Sequence, residues 1–300
     1  MRYAIRFGYC WLLAALLLCM SINASATRRA LVIGIGPYPE SSGWAKINGD
    51  KDVPTVVSML QQKDFKRSDI ITLVNEQATA EAIRNAFATL IQQSQKRDFV
   101  YIHFSGHGQR ITDTNGDEAG GFDEAWVPYD APLSYKAAEG FIFKRGGYSG
   151  QNHLIDDELN EFLHSLRQKV GDEGKIIVVA DACHSGGSTR GGLKDDDEEE
   201  PVVRGVRDDF IIPAGVRTAP VGGHPITWIF ISACKSNQCN YEYQGVGSLT
   251  YMLTQISDRF EQMSCAQLEN KIRAMMRDLI RFVQTPTVET PAAGADVIFF

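Results

Sequence analysis

Five short apolar runs decide what this 300-residue chain can fold into. They are Arg29 to Ile35, Ile70 to Val74, Phe99 to Phe104, Lys175 to Ala180 and Thr227 to Ala233. Each is too short for a helix and shows no polar alternation, so each reads as a strand buried on both faces. Segments with apolar residues at helical spacing separate them. Asp52 to Gln62 carries Val53, Val56, Val57 and Leu60. A helix capped by Thr79 carries Ile83, Ala86, Phe87, Leu90 and Ile91, and one beginning at Asp156 carries Leu159, Phe162, Leu163 and Leu166. Two more helices are predicted at about Ser248 to Glu261 and Cys265 to Phe282, before a last short strand near Asp296 to Phe299. The alternation predicts an α/β three-layer sandwich, with a mostly parallel sheet of about six strands covered on both sides. Two stretches break the rhythm, about 109–152 and 188–225, and read as long loops of the kind that carry function or lack order.

In parallel sheets ligands bind beyond the carboxyl ends of the strands. The third strand ends in Ser105-Gly-His107-Gly108 and the fourth in Asp181-Ala-Cys183-His184-Ser-Gly-Gly187. An imidazole and a thiol therefore leave the same sheet edge, an arrangement that can pair a nucleophile with its proton acceptor. A free thiol is only a few per cent thiolate near neutral pH, so it needs such a base, and His107 between two glycines is the best candidate. His184 adjoins Cys183 along the chain, where neighbouring side chains rarely meet, and reads as a structural or rim residue. His103 lies inside the strand and reads as packing. Asp181 precedes Cys183 by two residues, so strand alternation puts both side chains on one side, where a carboxylate would select a substrate cation.

Composition narrows the partners. With 44% hydrophobic and 22% charged residues the chain reads as an ordinary globular one, and no Lys/Arg-rich block marks a nucleic-acid partner. The first 26 residues read as a secretory signal peptide: Arg2 and Arg6, an apolar stretch from Tyr9 to Ile22, then Ala24-Ser-Ala26. Its removal takes two arginines and moves the net charge from −7 to −9. A secreted or periplasmic domain over residues 27–300 is expected, with no membrane association once the signal is gone. Cys183, Cys234, Cys239 and Cys265 remain; Cys234–Cys239, Cys239–Cys265 and no disulfide at all are the alternatives. Asp195 to Glu200 is a surface acidic run, with Arg190, Lys194, Arg204 and Arg207 around it as sites where an enzyme preferring basic residues could cut itself.

Tyr101-Ile-His-Phe-Ser-Gly-His-Gly108 and Asp181-Ala-Cys-His-Ser-Gly-Gly187 resemble the His and Cys boxes of metacaspases, in the caspase-like clan of cysteine peptidases. Asp117 to Glu124 with Val127-Pro-Tyr-Asp130, Ile231 to Gln238, and Gln284-Thr-Pro286 are similar to further family stretches. The resemblance implies an endopeptidase cutting peptides or proteins after Arg or Lys, by a Cys183–His107 dyad without a third member. The N–H groups of Gly108 and Cys183 would form its oxyanion hole, and Asp181, Ser105 and Asp52 its pocket, with Asp50 as a competing match for Asp52. The chemistry requires no cofactor. The resemblance also implies calcium as an activator, at Asp123, Asp156 and Asp157; the fourth family position falls near Thr189, which is not an acid. A helix–loop–helix calcium loop at Asp113 to Glu124 fails, because Glu118 stands where Gly is needed. The alternatives are a related clan peptidase with another preference, or a silent caspase-like binding module. A serine hydrolase would need a Gly-x-Ser-x-Gly elbow that is missing.

Overall fold

The computed structural model describes residues 26–118, 120–134, 148–183, 201–206, 209–212, 225–291 and 299–300. The expected leader, His184, the acidic run, Arg190, Lys194 and Arg207 lie outside them. β1 (Arg28–Gly34), β2 (Ile70–Val74), β3 (Phe99–Ser105), β7 (Lys175–Asp181), β8 (Ile229–Ser232) and β11 (Thr287–Glu289) form one sheet in the order β11-β8-β7-β3-β1-β2. All pairs are parallel except β8 with β11. The edge strand is thus Thr287–Glu289; most of the expected stretch near Asp296 to Phe299 lies outside the described residues.

Alternation along the central strands divides the core. Ala30, Val32, Tyr101, Ile177 and Val179 face α1 (Gly49–Gln62), α4 (Ser248–Gln255) and α5 (Cys265–Leu279). Leu31, Ile33, Val100, Ile102, Phe104, Ile176 and Val178 face α2 (Ala80–Gln93) and α3 (Asp156–Val170). A parallel sheet that must hide both faces is sandwiched in this way. Thr79 caps α2 by accepting from the Ala82 N–H at 3.2 Å, as its sequence position predicts.

The stretch read as a loop from residue 109 holds regular structure. β4 (Gly108–Thr112) and β5 (Phe122–Trp126) pair antiparallel, and β6 (Leu154–Ile155) joins β5. A short hairpin, β9 (Glu242–Tyr243) and β10 (Val246–Gly247), leads into α4. No disulfide joins Cys183, Cys234, Cys239 and Cys265, which are all buried. Among the described residues no helix is long and apolar enough to cross a membrane.

Candidate active site

The register of the two central strands sets the site. Ser105 on β3 pairs with Asp181 on β7, and His107 and Cys183 each lie two residues further on. Tyr38 holds the His107 backbone, accepting its N–H at 3.0 Å while donating to the Val127 carbonyl at 2.9 Å. The His107 ring stacks on Trp44, with centroids 4.7 Å apart. Its Nε2–H donates to the Ala45 carbonyl at 2.9 Å, which leaves Nδ1 as the lone-pair nitrogen. Nδ1 is buried without a hydrogen-bond partner. Burial pushes the imidazole down to about 4, against the Ala45 hydrogen bond, and the Arg204 charge adds to the fall. A neutral base at physiological pH results. The Cys183 thiol lies 2.8 Å from the Gln238 carbonyl oxygen, its proton acceptor in this arrangement.

A buried carboxylate pocket opens beside this pair. Asp181 accepts from Asn240 Nδ2 at 2.7 Å, from the Thr250 N–H at 2.7 Å and from the Thr250 hydroxyl at 2.6 Å. Asp52, in the first turn of α1, accepts from the Ser105 hydroxyl at 2.7 Å and from the Gly247 N–H at 3.0 Å. Asp50 accepts instead from Asn75, so Asp52 is the acid that faces Ser105 and Asp181. Since Ser105 and Thr250 spend their protons on carboxylates, His103 Nε2–H must donate to both hydroxyl oxygens, each 3.1 Å away. His103 is therefore wired beneath the pocket rather than merely packed, and burial lowers it to about 4.

The pocket contains an arginine of the chain itself. Arg204 is fully buried, with Nη1 2.7 Å from Asp52, Nη1 3.8 Å from Asp181 and Nε 3.2 Å from Glu242. Coulombic attraction to these acids holds the guanidinium above its ordinary value, outweighing the burial that would lower it. Its main chain is also engaged: the Arg204 N–H donates to the Asn240 carbonyl at 2.9 Å, and its own carbonyl accepts the Cys183 N–H at 2.8 Å. Gly108, the other expected oxyanion donor, starts β4 opposite Trp126. Glu242, Asn240, Thr250 and the Ala45 carbonyl escaped sequence reasoning, and Arg204, named there among four basic residues open to self-cutting, was not expected in the acid pocket. The basic residues after the Cys box were a signal, but they could not be ranked.

The acids gather differently from the set implied by resemblance. Asp113, Asp117 and Asp123 each offer a carboxylate oxygen, all within 4.8 Å of one another. Asp123 belongs to both sets, whereas Asp157 accepts from Asn115 Nδ2. Oδ1 of Asp123 and Oδ1 of Asp156 are buried without hydrogen-bond partners. Burial, then the charge of Asp156, pushes Asp123 up to about 8; burial, then Asp157, pushes Asp156 up to about 7. Such a cluster of acids with orphaned oxygens suits a hard cation.

Two strand ends presenting Cys183 and His107 above a sheet sandwiched between helices are the arrangement of the caspase-like family of cysteine peptidases, and residues 27–296 match the family described as Caspase domain. The chain belongs to that family. It is 30% identical over 190 residues to Metacaspase-1A of Neurospora crassa, covering 58% of this chain and 37% of that one. It is 31% identical over 173 residues to Metacaspase-1B of Aspergillus niger, covering 55% and 34%. The matched segments thus span well under half of these curated relatives. A solved protein from Geobacter sulfurreducens shares the fold, with a TM-score of 0.61 and 22% identity, covering 88% of this chain and 93% of that one.

Proposed function

We propose that this protein is a calcium-responsive endopeptidase that cuts after Arg or Lys, with Cys183 as nucleophile and His107 as base. The observation that carries the reading is the guanidinium of Arg204 held by Asp52 and Asp181 while the Arg204 carbonyl accepts the Cys183 N–H. A cation in that pocket sets the carbonyl after it against the thiol-bearing residue.

In the reaction His107 Nδ1 takes the thiol proton and Sγ attacks the carbonyl carbon. The oxyanion meets the N–H of Cys183, with Gly108 as second donor, and one such donor contributes roughly 3 kcal/mol. His107 then returns the proton to the leaving amine, and water releases the acyl group by the reverse sequence. The Ala45 carbonyl keeps the ring in the tautomer with Nδ1 unprotonated. Asp113, Asp117 and Asp123 would hold calcium, with Asp156 beside them; bound there, the ion would offset their repulsion and fix the β4–β5 turn. The exported chain would begin at Thr27.

The test is hydrolysis of fluorogenic peptides ending in Arg, Lys or Asp, with and without calcium chloride. Arg and Lys peptides should be cut, faster with calcium, and Cys183→Ala and His107→Ala should each remove turnover while keeping the fold. Preferred cutting after Asp, or normal turnover by either variant, would overturn the reading.

A further inference from the structure

We propose that the enzyme's first substrate is its own segment Val202-Val203-Arg204-Gly205, cut between Arg204 and Gly205 by Cys183 of the same molecule. Until then the segment blocks the pocket. This rests on the cysteine-peptidase reading and goes beyond it by naming the bond. The segment binds as an added antiparallel strand: the Arg204 N–H donates to the Asn240 carbonyl, the Glu242 N–H donates to the Val202 carbonyl at 3.0 Å, and Val203 bridges Tyr241. Peptides that lay themselves along a sheet edge are held by main-chain bonds of this kind, with side-chain pockets supplying selectivity. Val203 packs on the core and Arg204 fills the acid pocket.

The register is set on both sides of the bond. The Arg204 carbonyl oxygen already accepts the Cys183 N–H. A Cβ on residue 205 would come within 2.7 Å of the Cys183 carbonyl oxygen and 2.9 Å of the Cys183 Cβ, so the residue after the bond must be glycine. The proposed step turns the thiol from the Gln238 carbonyl onto the Arg204 carbonyl carbon. The C–S bond forms, the C–N bond to Gly205 breaks, and the Gly205 amine leaves with the proton from His107. Water then hydrolyses the thioester, leaving a carboxylate on Arg204 that is free to depart.

Wild-type chain incubated with calcium chloride should yield a fragment starting at Gly205, by mass spectrometry and N-terminal sequencing. Cys183→Ala should stay whole. The rate constant should be unchanged on tenfold dilution, as a cut within one molecule requires. Arg204→Gln should remain joined at this bond and hydrolyse added Val-Val-Arg peptide without a lag; Arg204→Lys, which keeps the pocket's charge balanced, should be cut more slowly than wild type. Cutting only elsewhere, or a dilution-dependent rate, overturns the proposal. An intact wild-type chain that still turns over added arginyl peptide overturns the internal substrate alone. An intact chain inert to that peptide overturns the proposed activity as well.

A second observation, the geometry around Glu242, points to a residue that separates Arg from Lys. Glu242 Oε1 lies 3.2 Å from both Nε and Nη2 of Arg204, and the same carboxylate accepts the Asn48 N–H and side-chain amide. A guanidinium has the spread to donate to Asp52 through Nη1 and to Glu242 through Nε, with Nη2 near Glu242 as charge alone; an ammonium is a single point and cannot span both acids. Glu242 is therefore a specificity-determining residue for arginine. Wild-type enzyme should prefer arginyl over lysyl peptides by at least tenfold in kcat/KM, and Glu242→Gln should shrink that ratio severalfold, with the arginyl peptide losing more. Equal cutting of the two peptides by wild type, or an unaltered ratio in the variant, removes Glu242 from this role while leaving the basic preference in place.

Discussion

Asp181 is surrounded by donors of the protein itself, from Asn240 and Thr250, in addition to the cation it faces. A carboxylate can stay ionised in a fully buried place only with such partners. Asp181→Asn keeps the volume, removes the charge and leaves a bound guanidinium underpaired. Breaking one side of a buried pair costs about 3–5 kcal/mol, so arginyl peptides should lose at least a hundredfold in kcat/KM. Matched peptides differing only before the cut bond measure this; an equal loss for a neutral residue there would mean that Asp181 merely positions Thr250 and Asn240. At this scale the sequence was informative where chemistry coincided with a strand end. Cys183, His107, Ser105 and Asp181 were legible because each follows an unbroken apolar run. Glu242 was not, and Arg204 was legible only as one of four basic residues open to cutting, since neither adjoins such a run and only the fold carries them to Asp52. His103 looked like packing because a polar network beneath a pocket leaves no mark on strand periodicity.

The hairpin β9–β10 delivers both Glu242 and Gly247 to the pocket, although it is only two residues per strand. Its turn holds Gln244 and Gly245 at φ 52° and 75°, the left-handed pair that suits a tight hairpin. At Gly247 a Cβ would sit 2.1 Å from Asp181 Oδ2 and 2.5 Å from Arg204 Nη1. Glycine here makes room for the cation. Gly247→Ala should therefore abolish both arginyl-peptide hydrolysis and the cut at Arg204, with the thiol still present to react with iodoacetamide. Retained affinity for arginyl peptides would show that the pocket floor yields. The central strands were legible because both their faces are apolar, and a parallel sheet demands that. The edge strand Thr287–Glu289 was not, being short and partly exposed, so its composition carries little pattern. β4 and β5 were read as loop because polar residues, among them Gln109, Asp123 and Glu124, obscure their alternation.

Across the whole molecule, burial holds three histidines neutral: His103 and His107 at about 4 and His153 at about 3. An unfolded histidine binds its proton near pH 6.5, so between that value and the folded one the unfolded state carries more protons. Stability contributed by such a group rises with pH through this window and is lost on acidification. Asp123 and Asp156 act in the opposite sense, because their raised values leave the folded state holding protons that the unfolded chain has released. A comparison that alters one histidine alone cancels them. His153 has no assigned part in the proposed chemistry; its Nδ1 is 2.7 Å from the Tyr148 hydroxyl and its Nε2 3.0 Å from Gln109 Oε1. His153→Gln supplies an acceptor and a donor to the same partners but cannot titrate. Urea unfolding at successive pH values should therefore show wild type losing stability more steeply than the variant from pH 6 to pH 4. The difference in slope approaches about 1.4 kcal/mol per pH unit, the value for one proton. Parallel curves for the two proteins would mean that His153 takes up its proton without unfolding, and that the buried triad of Tyr148, His153 and Gln109 opens to water in the native state.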